Sequence, residues 1–397
     1  MNMRTMLTAL TLLTMASCQL EPDTWAPVEP TARVEPEPAP LQSTEPRPTI
    51  LVPRPAVDQD LEVAVAGAPE LSGRFWAGDL VCLPPGARAT LRPLVPGTTL
   101  ALADAPGWGK AGGAVKTEAD GSVSLYTPDR LGARCRLELR GRKAATFPVA
   151  ILTRARVERS GQASGWRVYV GKEYLGAYPN PAASRSRLVR EHQSLYEPPR
   201  FFLKIDRSTE KARLAPHLLA GQMVSFLEQN KVRTSRRHTL WFPPNRPLVE
   251  KLERLSRELH AAGVGFRRLA VNSGFRTPLY NARIGGAAFS RHIYGDAADV
   301  MIDENDDERM DDITGDRIAN ERDALLIAQA LRRLELGGRV RPGGIGAYAY
   351  DAADSCAAFV HTDARGFITR WGTVHRRGRS LDLRWWPPEE FQEEDEE

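Results

Sequence analysis

The sequence predicts an α+β chain with two folded parts: a small all-β, sandwich-like domain over residues 58–153 and a mixed domain over 154–385. Three observations carry this. Short alternating runs fill the first part, such as Leu61-Glu62-Val63-Ala64-Val65 and Cys135-Arg136-Leu137-Glu138-Leu139. Glycine and proline turns separate them, and helical period is almost absent. The second part mixes strand-like runs, Trp166–Val170 and Phe201–Ile205, with stretches of helical period. Finally, 42% of the 397 residues are hydrophobic, enough for two cores.

Taken in order, residues 1–18 read as a targeting segment. Arg4 supplies the positive end, and Thr5 to Ala16 form an apolar core too short to span a bilayer as a mature helix. Met15-Ala16-Ser17-Cys18 resembles the lipobox of bacterial lipoproteins. That resemblance implies a lipid on Cys18 and a membrane anchor. Gln19 in place of an aspartate implies delivery to the outer membrane, facing the periplasm. The alternative is a secretory signal peptide with an incidental cysteine. Residues 19–57, rich in proline, glutamate and alanine, carry too little apolar surface to fold and read as a tether. Residues 386–397 read as a solvated acidic tail.

In the β domain, Cys82 and Cys135 both fall in strand-like runs. An exported chain meets an oxidising compartment, so a Cys82–Cys135 disulfide is one expectation and two buried thiols the other. No chemistry-bearing cluster occurs there, which points to a spacer or binding module. In the second part, residues 246–262 read as a helix. Pro247 suits its first turn, Leu248, Leu252, Leu255 and Leu259 form one stripe, and Gly263 ends it. A second helix is expected over 319–335, before Gly337-Gly338. The net charge of +4 with scattered lysine and arginine excludes a nucleic-acid surface, and the chain is expected to be a monomer.

The chemistry gathers between residues 271 and 363. Leu269 and Val271 lie on a strand that delivers Ser273-Gly274-Phe275-Arg276. A guanidinium at such a strand end suits either a carboxylate or carbonyl of a ligand, or a structural ion pair. Ser290 to Asp299 form a loop entering a strand, with Gly295 and Ala297 leaving room to fold His292 back toward Asp299. Phe359, His361 and Asp363 share one face of a further strand. Two histidines and a carboxylate are a common ligand set for a catalytic zinc with one open position.

These segments, S-G-F-R-T-P-L-Y-N, S-x-H-x-x-G-x-A-x-D and V-H-x-D in that order, resemble the zinc D-Ala-D-Ala peptidase family, in particular a murein-peptidase branch of it. The resemblance covers about residues 160–375. It implies a Zn2+ held by His292, Asp299 and His361, with Arg276 contacting substrate or polarising the scissile carbonyl. It implies cleavage of amide bonds in peptidoglycan stems or cross-links. It also implies the α+β fold shared with the hedgehog signalling domain, an antiparallel sheet with helices packed on it. Many relatives place a glutamate three residues before the last histidine as general base; here that position is Ala358. Asp363 then stands as catalytic base or as orienter of His361. His375 is a weaker alternative. Cys356 reads as a buried small hydrophobe, and Asp303 to Asp312 as a solvated loop without the spaced glycine of a calcium site. Two other functions compete with the peptidase. One is a non-catalytic zinc-bearing lipoprotein that binds peptidoglycan or another envelope component; the other is a structural tether.

Overall fold

The computed structural model describes residues 59–103, 108–129, 135–160, 165–225, 240–348, 358–376 and 379–382. The expectations for residues 1–57 with Cys18, for Cys356 and for the tail 386–397 lie outside them, as does the side chain of His375.

Residues 61–151 form two sheets. The first orders its strands Gly73–Phe75, Leu61–Val65, Arg88–Pro93, Val123–Tyr126 and Ala114–Thr117. Alternation sets the faces: Leu61, Val63 and Val65 are buried while Glu62 and Ala64 turn outward. The second sheet orders Val81–Leu83, Ala145–Ile151, Cys135–Gly141 and Thr98–Ala103. It is not wholly antiparallel, because Val81–Leu83 runs parallel to Ala145–Ile151. The intervening strands provide the long crossover that a parallel pair requires.

This strand order overturns the Cys82–Cys135 disulfide. Cys82 pairs with Ala150 on one side of the strand Ala145–Ile151, and Cys135 pairs with Val149 on its other side. Two strand spacings, about 10 Å, separate them, and their side chains leave opposite faces of the sheet. A bridge needs Cα atoms within about 7 Å. Both are buried free thiols, and burial pushes each up to about 12.

The second part begins with a five-stranded sheet ordered Glu173–Tyr178, Trp166–Val170, Thr153–Arg159, Phe201–Ile205 and Leu240–Phe242. A helix over Arg246–Ala261 follows. The Asn245 side chain accepts from Leu248 N–H at 3.0 Å, and Pro247 occupies the first turn, where no donor is needed. Leu248, Leu252, Leu255 and Leu259 are all buried, each worth about 1.5–3 kcal/mol. The helix ends where Gly263 takes φ +89. The second long helix spans Glu321–Leu336, and its start is set by Asn320, which accepts from Arg322 N–H while Asp323 accepts from Asn320 N–H.

Those two helices pack on each other beside a six-stranded sheet. Its order is Ala270–Ser273, Ala297–Met301, Phe359–Asp363, Gly344–Tyr348, Thr369–Arg376 and Arg379–Asp382. Every residue of Ala297–Met301 is buried, so this strand is covered on both faces. The sheet is mixed rather than antiparallel throughout, since Gly344–Tyr348 runs parallel to Thr369–Arg376. The first β unit docks on the helix Arg246–Ala261. The Arg246 guanidinium lies 4.0 Å from the Phe75 ring centroid and donates to Leu214 O at 2.8 Å. Buried Asp79 accepts from both Arg213 and Arg246, and Glu250 accepts from Arg74 N–H at 2.7 Å.

Candidate metal centre

The site is a row across the six-stranded sheet. Strand register sets Ser273 opposite Asp299, Asp299 opposite His361, His361 opposite Gly346, and Gly346 opposite Trp371. Five residues far apart in sequence thus line one track on adjacent strands.

His292 reaches this row from a short 3-10 turn, Arg291–Tyr294. Gly295 closes the turn at φ +78, and a Cβ there would sit 2.4 Å from Pro243 Cγ. Only glycine meets both demands. The ion pair of Arg291 with Asp296 spans the reversal, with Nε donating to Oδ1 at 3.0 Å. Gly274 is a second obligatory glycine: a Cβ there would lie 2.4 Å from Met223 O, while Phe275 N–H donates to that same carbonyl at 2.8 Å. The close approach leaves Gly274 O as acceptor for His292 Nδ1 at 2.7 Å. A carbonyl only accepts, so His292 carries its proton on Nδ1 and presents the Nε2 lone pair.

Nε2 of His292 lies 3.1 Å from Asp299 Oδ1 and 3.1 Å from His361 Nδ1, and His361 Nδ1 lies 2.9 Å from Asp299 Oδ1. Behind the ring, His361 Nε2 faces Asp363 Oδ2 at 3.5 Å. That is too long for a hydrogen bond, and His361 Nε2 is a buried nitrogen without a hydrogen-bond partner, so the carboxylate favours the proton on Nε2 by charge, which turns the Nδ1 lone pair to the cluster. With His361 neutral, three acceptors converge, an arrangement that suits a cation. Tetrahedral coordination with bonds near 2.0–2.2 Å sets ligand atoms about 3.3–3.6 Å apart, slightly wider than the 2.9–3.1 Å observed. Among the described residues, this is the one group of three such side chains placed to hold a metal ion. The acidic loop 303–312 does not form another; Asp303, for example, accepts from Asp307 and Glu308 N–H.

Charge at the site follows from burial and partners. Burial opposes protonation of His361, yet hydrogen bonds and charge from Asp299 and Asp363 outweigh it and raise its pKa to about 9. Burial lowers that of His292, with Arg276 adding to the effect. Burial alone would raise Asp363, but the Arg365 guanidinium and His361 hold it well below the carboxylate range. Metal uptake requires neutral imidazoles. Below the His361 value, binding must displace its proton, so affinity is expected to rise about tenfold per pH unit from ~7 to ~9 and level off above. Zinc titration calorimetry in buffers of different ionisation enthalpy reads the proton released; none at neutral pH would contradict the assignment.

Arg276 donates from Nη2 to Asp299 Oδ2 at 2.6 Å and from Nε to Ser273 Oγ at 2.7 Å, with its side chain 18% exposed. It is thus both an ion-pair partner and a group at the open edge. Asp363 is fully buried. Its Oδ1 accepts from Gly344 N–H and Arg365 N–H, each at 3.0 Å, and Arg365 Nη2 reaches Oδ2 at 2.7 Å. Ala358 is buried at the position of the relatives' glutamate.

Three contributors escaped the sequence reading: Ser273 as a partner of Arg276, Arg365, and Trp371. Arg365 stands two residues after Asp363, a same-face spacing that strand period offered. Trp371 lies 5.2 Å, ring to ring, from His361 and donates from Nε1 to Tyr348 Oη at 2.7 Å. It crosses over Gly346, where a Cβ would stand 2.2 Å from its Nε1. Nothing in the local sequence reports that crossing.

No curated protein and no solved structure matches the chain. Residues 228–325, about a quarter of the chain, match the family model described as Peptidase M15, and this match, over the segment that carries Arg276, His292 and Asp299, supports a peptidase.

Proposed function

We propose that the chain is a zinc-dependent peptidase acting on the amide bonds of peptidoglycan stems or cross-links. Its C-terminal part, 154–385, is then a hedgehog-like α+β catalytic domain, and 58–153 a sandwich-like module ahead of it. The observation that carries the reading is the convergence of His292 Nε2, Asp299 Oδ1 and His361 Nδ1, with the His292 tautomer set by Gly274 O. The lipobox-like stretch at Cys18 adds support, because export would bring the site to the cell wall.

His292, Asp299 and His361 would hold the zinc. When bound, such an ion polarises a carbonyl and acidifies water. Arg276 uses two of its donors on Asp299 and Ser273, and its part-exposed fork offers the others to developing charge on a substrate oxygen. Asp363 takes the orienting role: its oxygens are engaged by Arg365 and two backbone N–H groups, and it stands behind His361. The second reading, a zinc-bearing envelope protein without catalysis, draws on buried, apolar Ala358.

Digestion of purified murein sacculi by the full chain, with and without chelator, separates the two. Released peptides that vanish with chelator are expected; none from zinc-loaded protein supports the binding reading. Arg276→Ala is expected to lower turnover by about 10²–10³-fold, the usual loss for one donor to an oxyanion. Its zinc affinity is expected to fall by no more than about 10–100-fold, the usual cost of losing an outer partner of a ligating carboxylate, so the turnover loss is read at saturating zinc.

A further inference from the structure

Strand period continues from His361 through Asp363 to Arg365, but the strand ends at Asp363 and the chain turns. The turn brings Arg365 back on its own neighbour. Nε of Arg365 lies 3.0 Å from Asp363 Oδ1 and 2.9 Å from Oδ2, and Nη2 lies 2.7 Å from Oδ2. This is a fork-on-carboxylate pair, buried on both sides. Aromatic rings flank the guanidinium, with its centre 5.6 Å from the Phe367 centroid and 5.8 Å from that of Trp371. Phe367 is itself stacked on His192 at 4.3 Å. The Asp363 backbone is held as well, since its carbonyl accepts from Lys251 Nζ. These contacts engage both carboxylate oxygens, and Oδ2 stands 3.5 Å from His361 Nε2, an ion-pair and not a hydrogen-bond distance.

We propose that Arg365 is a positioning residue of the metal centre. Its planar fork fixes the plane of Asp363, Asp363 fixes the His361 ring, and the ring thereby aims Nδ1 at the cluster. The inference rests on the reading that the cluster holds a cation. It adds that the fork, and not charge alone, does the aiming. A lysine would supply a point charge without setting the carboxylate plane.

The test is zinc affinity of the full chain, measured by competition with a chromophoric chelator. A second readout is the His361 Nε2–H signal in 15N-edited NMR of the zinc-loaded protein. Arg365→Met is expected to weaken zinc by about 10–100-fold, the usual cost of losing an outer partner of a ligating histidine, and to broaden or shift that signal. Arg365→Lys is expected to recover only part of the affinity. Arg213→Met, which removes a partner of Asp79 outside the cluster, is the stability control and is expected to leave affinity unchanged. Wild-type affinity and signal in Arg365→Met overturn the proposal, as does full recovery by lysine. If the methionine variant does not fold, the lysine variant decides on the same terms. Wild-type protein that takes up no zinc overturns the metal reading itself, which that arm alone reveals.

Discussion

Replacing His361 by alanine is expected to lower zinc affinity by roughly a thousandfold and to abolish murein hydrolysis with it. Complete structural zinc sites are worth about 10–16 kcal/mol, so one of three protein donors carries about 4 kcal/mol, or three powers of ten. The fold is expected to survive. His361 sits mid-strand in Phe359–Asp363, which stays paired with Ala297–Met301 on one side and Gly344–Tyr348 on the other. Asp299 keeps Arg276 at 2.6 Å, so its carboxylate is not stranded. The substitution therefore separates metal from fold, unlike removal of Asp299, which would also release Arg276. Zinc content, hydrolysis and circular dichroism are measured on one preparation. Full hydrolysis by metal-free His361→Ala protein would sink the zinc-peptidase reading whatever the fold does.

What was legible in the sequence was local. The stripe Leu248, Leu252, Leu255 and Leu259 with Pro247 ahead of it marked a helix, and the helix forms over Arg246–Ala261. The strands Leu61–Val65, Trp166–Val170 and Phe201–Ile205 were readable because alternation or β-branched and aromatic density is a property of five consecutive residues. His292, Asp299 and His361, the three side chains that converge, were readable because their motifs are short and ordered along the chain. Register was not. That Ser273, Asp299, His361, Gly346 and Trp371 share a row depends on which strands pair, and pairing is decided by burial across the whole sheet. The same gap left the choice between a Cys82–Cys135 disulfide and two buried thiols open: both lie on buried strands, and only the pairing shows that the strand Ala145–Ile151 runs between them. Arg365 was missed for another reason. An arginine in a turn reads as solvated, and only the chain reversal after Asp363 buries it.

Glu335→Gln is expected to destabilise the C-terminal part by about 3–5 kcal/mol, although residue 335 stands outside the His292–Asp299–His361 cluster. Glu335 stands near the end of the helix Glu321–Leu336 with its side chain fully buried between two cations. Lys251, from the other long helix, pairs with its Oε1, and Arg370 pairs with its Oε2. All three side chains are 0% exposed, so water cannot take over the lost charge. Burial lowers the Lys251 pKa, and Glu335 is the main counterweight that keeps the amine charged. The variant would leave two buried cations facing a neutral amide, the costly way to break such a cluster. Replacing the whole cluster, Lys251→Met with Glu335→Leu and Arg370→Met, is expected to recover part of the loss. Recovery is incomplete because Lys251 also donates to Asp363 O and Arg370 to Gly343 O, and those buried carbonyls would lose their donors. Urea unfolding of the single and triple variants reads both effects. A Glu335→Gln midpoint equal to wild type would show that the two cations find other partners, and the cluster would then have no part in holding Asp363 behind His361.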